Sequence, residues 1–258
     1  MRTTDPDLLG EVCARLPLGW RPAKGHLVDR LVSVVAASGA QRPGLRRLHV
    51  AYVDSRLVLR TPSLEDLLFD LRSELEQTMI ESAQGRLFVH AGAVGWRGRA
   101  ILIPGSSHSG KTSLVAALLR AGATYYSDEY AALDARGRVH AYPRPLLLRR
   151  AGQPDERVRP EEFGARVARR PLRVGLVLAA HHRERGVWRP IRLTPGRAVL
   201  ALLRHTPAAR AWPQVALSYL ETVARQAMVL DGQRGEADQI VSWLRDRDDN
   251  AWRLERTA

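Results

Sequence analysis

The amino-acid sequence predicts an α/β protein in two parts: a small N-terminal α/β lobe over residues 1–84 and a larger domain over 85–258 built on a mixed sheet. Three observations carry that expectation. An apolar run, Arg99 to Pro104, meets a glycine-bounded loop, Gly105 to Thr112, and then a stretch with Leu114, Val115, Leu118 and Leu119 at helical spacing before Gly122. Segments that read as hairpins alternate with segments that need a helical crossover, so parallel and antiparallel pairings should share one sheet. One continuous apolar stripe, Leu64, Leu67, Leu68, Leu71, Leu75 and Met79, closes the N-terminal lobe.

In chain order, residues 1 to about 47 place Leu27, Leu31, Val34 and Val35 at helical spacing, punctuated by prolines. Leu48 to Val53 and Arg56 to Arg60 read as two strands around Asp54-Ser55, a hairpin ended by Thr61-Pro62-Ser63. Ser63 followed three residues later by Asp66 resembles a capping box at the start of the striped helix. Arg86 to Val94 reads as a strand with His90 at its centre. After the loop helix, Thr124-Tyr125-Tyr126 should be a strand ending in Ser127-Asp128-Glu129. Tyr130 to Asp134 and Arg138 to Tyr142 should pair across Ala135-Arg136-Gly137. Residues 151–171 are rich in charge, Pro and Gly and are expected to be an exposed lid facing the substrate. Strands are expected at Val174 to Ala179, Val187 to Leu193 and Met228 to Leu230. Helices are expected at Pro195 to Arg204, at Ala208 to Ala227 with an interruption at Pro213, and at Glu236 to Arg245.

Composition narrows the function classes. At 258 residues with 45% hydrophobic content the chain can bury a sizeable core. No run approaches the ~20 apolar residues of a membrane span. The start of the chain, with Asp5, Asp7 and Glu11, lacks the basic flank and apolar core of a signal peptide, so a cytoplasmic location without membrane association is expected. Cys13 is the one cysteine and cannot form an internal disulfide. The net charge is +13, but only Lys24 and Lys111 are lysines and the arginines are dispersed. The short clusters Arg46-Arg47, Arg149-Arg150 and Arg166 to Arg173 lack the interleaved aromatics of a single-strand platform. A solvated or peptide-facing surface is therefore expected in preference to nucleic-acid binding.

The chemistry concentrates in Gly105-Ser106-Ser107-His108-Ser109-Gly110-Lys111-Thr112, which fits the Walker A pattern G-x-x-x-x-G-K-[ST] at every fixed position. Such a turn leading into a helix aims backbone N–H groups, including that of Ser113, at phosphate oxygens. Lys111 adds a cation for the outer phosphates and Thr112 a hydroxyl for Mg²⁺. Transfer to a hydroxyl also needs a carboxylate beside the γ-phosphate, and Asp128 and Glu129 are the obvious pair. Adjacent strand residues face opposite ways, so Asp128 is assigned as base and Glu129 as metal or water ligand. A polar strand end, or the metal-ligand acid of an ATPase, is the alternative for this pair. A lone histidine in an apolar strand is most often a core residue, and spacing alone does not promote His90.

His90-Ala91, the loop Gly105 to Thr112 and Tyr126-Ser127-Asp128-Glu129 together resemble, in order and spacing, the kinase domain of the HPr serine kinase/phosphorylase family. The resemblance covers roughly residues 85 to 150 and is closest to the shorter HPr-kinase-related proteins, some of which phosphorylate a peptide serine in peptide-modification pathways such as lasso peptide biosynthesis. It implies a phosphoenolpyruvate-carboxykinase-like fold, ATP and Mg²⁺ as cofactors, and a peptide or small-protein substrate. It also implies that His90 supports the catalytic acid, Lys111 holds the β- and γ-phosphates, Thr112 binds Mg²⁺ and Asp128 is base toward a serine hydroxyl. The sequence departs from the family in three places: His108 stands at a usual Gly, Glu129 replaces a second Asp, and no Glu-Ile-Arg-Gly signature follows residue 130. These departures leave HPr itself, the phosphorylase reaction and the hexamer outside what is carried over, and residues 1–84 are not expected to match the family's large N-terminal domain. A homo-oligomer stays open. Two other function classes remain beside the kinase reading, a nucleotide-binding regulatory or assembly protein and a small-molecule kinase.

Overall fold

The computed structural model describes residues 1–16, 20–22, 25, 27–37, 46–106, 109–149, 152 and 154–247. Ser107, His108, Lys24 and Arg150 therefore lie outside the described residues. The chain divides into two compact units, Met1–Ser82 and Ala83–Ala258.

The first unit holds β1 (Arg2–Thr3), α1 (Leu9–Cys13), β2 (Val32–Val35), β3 (His49–Val53), β4 (Arg56–Thr61) and α2 (Leu64–Ser82), with the four strands in one sheet in that order. The β3–β4 hairpin forms as expected around Asp54, whose carboxylate accepts from Leu31 N and Arg30 Nη1. Ser63 Oγ accepts from Asp66 N at 3.2 Å and starts α2. That helix buries Leu67, Leu68, Leu71 and Leu75 with Val34, Ala51 and Val53. Its stripe ends on buried Ile80 where the spacing predicts Met79. The helical pattern expected around Leu31, Val34 and Val35 is overturned. Val32–Val35 is a strand, parallel to β1 and antiparallel to β3, and Leu27 is 99% exposed. Three of its four residues are valines, whose branched Cβ suits a pleated surface better than a helix.

The second unit begins with β5 (Leu87–Trp96), β6 (Arg99–Pro104), α3 (Lys111–Arg120), β7 (Thr124–Ser127), β8 (Tyr130–Leu133) and β9 (Arg138–His140). A separate hairpin follows, β10 (Leu146–Leu148) with β11 (Glu156–Val158). Then come β12 (Leu172–His182), β13 (Ile191–Arg192), α4 (Pro195–Leu203), α5 (Pro213–Gln226), β14 (Met228–Arg234) and α6 (Asp238–Arg245). The main sheet runs β13-β14-β12-β6-β5-β8-β9, with β7 on β5. β6, β12 and β14 are parallel neighbours and the other pairings are antiparallel, which is the mixed sheet the connection pattern predicts. Leu172 and Arg173 also pair with β9, so the path β12-β6-β5-β8-β9 closes on itself.

Alternation along the strands builds a core on each side. Ile101, Ile103, Leu176 and Leu178 pack with α3 and α6, while Ala100, Leu102, Val174 and Val177 pack with α4 and α5. At Gly92 of β5 an added Cβ would sit 2.5 Å from Val115 Cγ2, so glycine is what lets α3 approach the sheet. No helix among the described residues is long and apolar enough to cross a membrane.

Three expectations in this unit are corrected. The described part of 151–171 is not a free lid. Besides β11 it holds a 3-10 turn at Pro160–Phe163. It is tied to β7 by Tyr125 N to Arg166 O and Ala168 N to Tyr125 O, and Val158, Pro160 and Ala165 are buried. Of Val187 to Leu193 only Ile191 and Arg192 form a strand, since Pro190 lacks a donor and Trp188 N donates to Gln239 Oε1 instead. Pro213 does not interrupt a helix but opens α5, where its missing N–H has no partner to lose.

Candidate functional site

The carboxyl ends of β6, β7, β12 and β14 all reach one edge of the sheet. β6, β12 and β14 are mutually parallel, and β7 runs with β6 because both are antiparallel to β5. This edge is where open α/β sheets hold ligands, because the connections there start from rigid strand ends. It gathers the loop after Pro104, the acidic pair after Ser127, and Arg234 at the end of β14. His90 joins from β5, whose Ala91 pairs with Pro104.

The loop enters α3 through Gly110, at φ +79°, in the left-handed region. A Cβ there would lie 2.6 Å from Arg234 Nη2, so both conformation and space demand glycine. Gly110 caps α3 without a side-chain partner. The N–H groups of Gly110, Lys111, Thr112 and Ser113 have no intrahelical acceptor, and they carry the positive end of the helix dipole. Lys111 is buried, and its Nζ lies 3.1 Å from Gly105 O and 3.2 Å from His90 Nε2. Burial lowers the Lys111 pKa, while the Asp128 and Glu129 carboxylates oppose that shift. Burial also lowers His90 to about 4, with Lys111 and His205 adding to the effect. The ring is thus neutral near pH 7, and its Nε2 accepts from the lysine.

Asp128 is 7% exposed. Its Oδ2 accepts from Thr112 Oγ1 at 2.8 Å, and its buried Oδ1 has no hydrogen-bond partner among the described residues. Burial raises its pKa to about 6, against the lowering effects of the Thr112 hydroxyl and the Lys111 charge. Glu129 turns the other way. Its Oε2 accepts from Arg144 Nη1 at 2.9 Å and its side chain is half exposed. Both carboxylates lie past the end of β7 at Ser127 and not within the strand as expected, so strand alternation does not divide them; they differ in partner, and the hydroxyl of Thr112 meets Asp128 and not Glu129.

A cavity of about 540 Å³ joins these groups. His90, Ser106, Gly110, Lys111, Thr112 and Ser113 line it together with Asp128 and Glu129, so of the described residues that the motif and the acidic pair single out, all but Gly105 and Ser109 reach one space. Gly105 and Ser109 hold the loop's own shape: Gly105 O accepts from Lys111 Nζ, and Ser109 N donates to Ser106 O.

Sequence reasoning marks the basic stretch that includes Arg149 but does not place it on this cavity, and it misses the buried brace. Arg144 lines the cavity beside Glu129, and Arg149 beyond it forms an ion pair with Asp155. Arg234 is 2% exposed and donates from Nη2 to Gly110 O and from Nη1 to Gly235 O, both at 2.7 Å. Its Nε is buried without a partner, and no carboxylate forms an ion pair with it among the described residues. Arg234 stands four residues beyond the apolar run Met228-Val229-Leu230, and no local pattern in the sequence marks it as a brace.

The oxygen donors Thr112, Asp128 and Glu129 suit a hard cation such as Mg²⁺, and the orphan Oδ1 of Asp128 leaves an acceptor free. No group of three or more His, Cys, Asp or Glu able to hold a metal occurs among the described residues. By fold this is a mixed α/β protein with a polar cavity at the carboxyl ends of its parallel strands. No protein-family model matches the chain, and no curated protein matches its sequence.

Proposed function

We propose that the chain is an ATP- and Mg²⁺-dependent kinase that transfers a phosphoryl group to a serine hydroxyl of a peptide or small protein in the cytoplasm. On this reading the fold is phosphoenolpyruvate-carboxykinase-like with a Walker A loop, akin to the kinase domain of the HPr serine kinase/phosphorylase family. The single observation that carries the proposal is Asp128. It is a buried carboxylate with an unpartnered oxygen and a pKa near neutrality, on the same cavity as the lysine and helix N-terminus that suit a triphosphate.

The loop N–H groups and Lys111 bind and orient the β- and γ-phosphates, and neutral His90 holds Lys111 in place from the side. Thr112 and Glu129 would hold Mg²⁺, which supplies charge neutralisation on the phosphates when bound. The acceptor oxygen attacks the γ-phosphorus, a new P–O bond forms, the bond to the bridging β-phosphate oxygen breaks, and the hydroxyl proton passes to Asp128 Oδ1. ADP leaves with the electron pair.

The test is mass spectrometry of serine-containing peptides incubated with the protein, Mg²⁺ and ATP. The expected result is a phosphate-sized mass gain that disappears with Asp128→Asn, while ATP binding survives. Transfer unchanged in that variant would sink the mechanism. A second reading draws on the Thr112–Asp128 hydrogen bond, which suits a carboxylate that organises a metal and takes no proton. The protein would then be a nucleotide-binding regulator or assembly factor, and ATP would bind without any phosphorylated product.

A further inference from the structure

The cavity does not end at the loop. From Ser113 it continues along α3 over Ala116 and Ala117 to Arg120, the positions that follow Ser113 on one helical face. Leu147 and Leu148 of β10 line it, and so do Glu236 and Asp238 at the start of α6, two pairs of opposite character. We propose that this groove seats the nucleoside of the phosphate donor, with the base against Leu147 above the alanine floor and the ribose hydroxyls donating to the Glu236 and Asp238 carboxylates. The inference rests on the phosphate-loop reading and adds what that reading lacks, a reason for a nucleoside triphosphate in place of a bare polyphosphate.

Direction along the helix decides which end holds what. In a loop of this pattern the backbone surrounds the α- and β-phosphates and the lysine reaches the β- and γ-phosphates. Lys111 and buried Asp128, with its unpartnered Oδ1, therefore mark the γ end, and the chain of phosphates leaves the loop past Ser113. Whatever is esterified to the α-phosphate lies over Ala116 and Ala117. Methyl side chains there leave room for a flat ring where longer ones would fill the groove. Arg120 is held away over the ring of Phe163, 4.9 Å from its centroid, and closes the far end without occupying it.

Leu147 is a half-buried leucine that lines the cavity and belongs to none of the apolar core clusters, unlike its neighbours Leu146 and Leu148, which pack with the core around α3. Its apolar surface is free for a ligand. The carboxylates make the opposite argument. Glu236 offsets part of the charge of buried Arg234, but both carboxylates would repel a phosphate, so a phosphate-only ligand gives them no role toward the ligand. Ribose hydroxyls, which donate, give them one. A volume of about 540 Å³ lies in the range that accommodates a ligand of nucleotide size.

The experiment is titration calorimetry of the full chain in Mg²⁺ with ATP and with inorganic tripolyphosphate. ATP should bind at least about tenfold more tightly than tripolyphosphate. Leu147→Asn should remove most of that preference while moving tripolyphosphate affinity less than about twofold. A paired Glu236→Gln, Asp238→Asn variant, on exposed side chains that leave the core untouched, should weaken ATP about threefold or more and leave 2′,3′-dideoxy-ATP unchanged. Equal affinity of the native chain for ATP and tripolyphosphate would overturn the groove and leave the phosphate loop standing. So would a paired carboxylate variant that binds both ligands more tightly. Binding of neither ligand to the native chain would overturn the loop reading itself, and the groove with it.

Discussion

Two buried aspartates lie six residues apart at the two ends of β8, and the fold treats them in opposite ways. Asp134, at the β8–β9 turn, is 6% exposed and Asp128, at the β7–β8 corner, is 7% exposed. Asp134 accepts from Arg136 N, Arg138 N, Arg138 Nε and His140 Nε2, all at 2.8 to 3.1 Å. Burial pushes its pKa up, but the bonds from His140, Arg138 and Arg136 outweigh it and hold the group at about 2. Asp128 has one hydrogen bond, from a neutral hydroxyl, and a pKa raised to about 6. Equal burial thus says little about role. The number of donors aimed at a carboxylate separates one that ties a turn from one left able to take a proton.

The comparison breaks most sharply at Asp128→Asn. Phosphoryl transfer should fall by at least about a thousandfold, roughly 4 kcal/mol of barrier. Stability at pH 7 should hold or rise by about 1–3 kcal/mol, because a buried, poorly solvated charge is removed. A urea titration beside the transfer assay reads both, and a variant that loses stability would mean that Asp128 is as structural as Asp134. Asp134→Ala should do the reverse, destabilising the fold by about 2–4 kcal/mol through lost bonds to four donors, with the transfer rate per folded molecule retained.

Gly110→Ala should come next, costing about 1–2 kcal/mol from the left-handed backbone and the encounter with Arg234, and weakening ATP more than it weakens the fold. Affinity and melting measured together distinguish the two effects. The two carboxylates should also separate in pH. As pH falls, transfer should be lost through about pH 6 as Asp128 protonates. Asp128's folded pKa is raised, so its effect on stability is most favourable below its ordinary value near 4 and is lost as pH rises through about 6. Asp134's folded pKa is lowered, so its contribution is present above that ordinary value and is lost as pH falls toward about 2. Thr112→Val should also lower the rate through the lost Mg²⁺ ligand; the smallest effect expected is the shift it adds by taking away Asp128's only donor, which should move the acidic limb of the rate profile upward by about half a pH unit. A limb that stays in place would show that another group sets it.

Local patterning made the strand-loop-helix around Gly105 to Thr112 legible, along with the β3–β4 hairpin and α2. In each, neighbouring residues supply the signal: a turn between alternating runs, or an apolar stripe behind a capping serine. Lys111, Thr112 and Asp128 could be named from the same patterns, His90 only from the family resemblance, and all four share the cavity. The errors have a different origin. Val32–Val35 could be placed on a helical face by spacing, yet it is a strand because β1 and β3 on either side complete its hydrogen bonds. The polar stretch near 160 looked free because its anchor, Tyr125, lies some forty residues away in β7. Arg234 reaches Gly110 across more than a hundred residues, and no local pattern carries that distance.

By itself, then, the sequence determined the local chemistry of this protein: which turn can present N–H groups, which lysine and hydroxyl stand beside it, and which carboxylates follow. Tertiary structure decided how each group behaves. It turned Asp128 toward Thr112 and Glu129 toward Arg144, left one carboxylate oxygen without a donor, and set Arg234 against the back of the loop. The physical reason is that hydrogen-bonding pattern is written over a few consecutive residues, whereas desolvation and charge pairing depend on everything packed within a few ångströms, wherever along the chain it comes from.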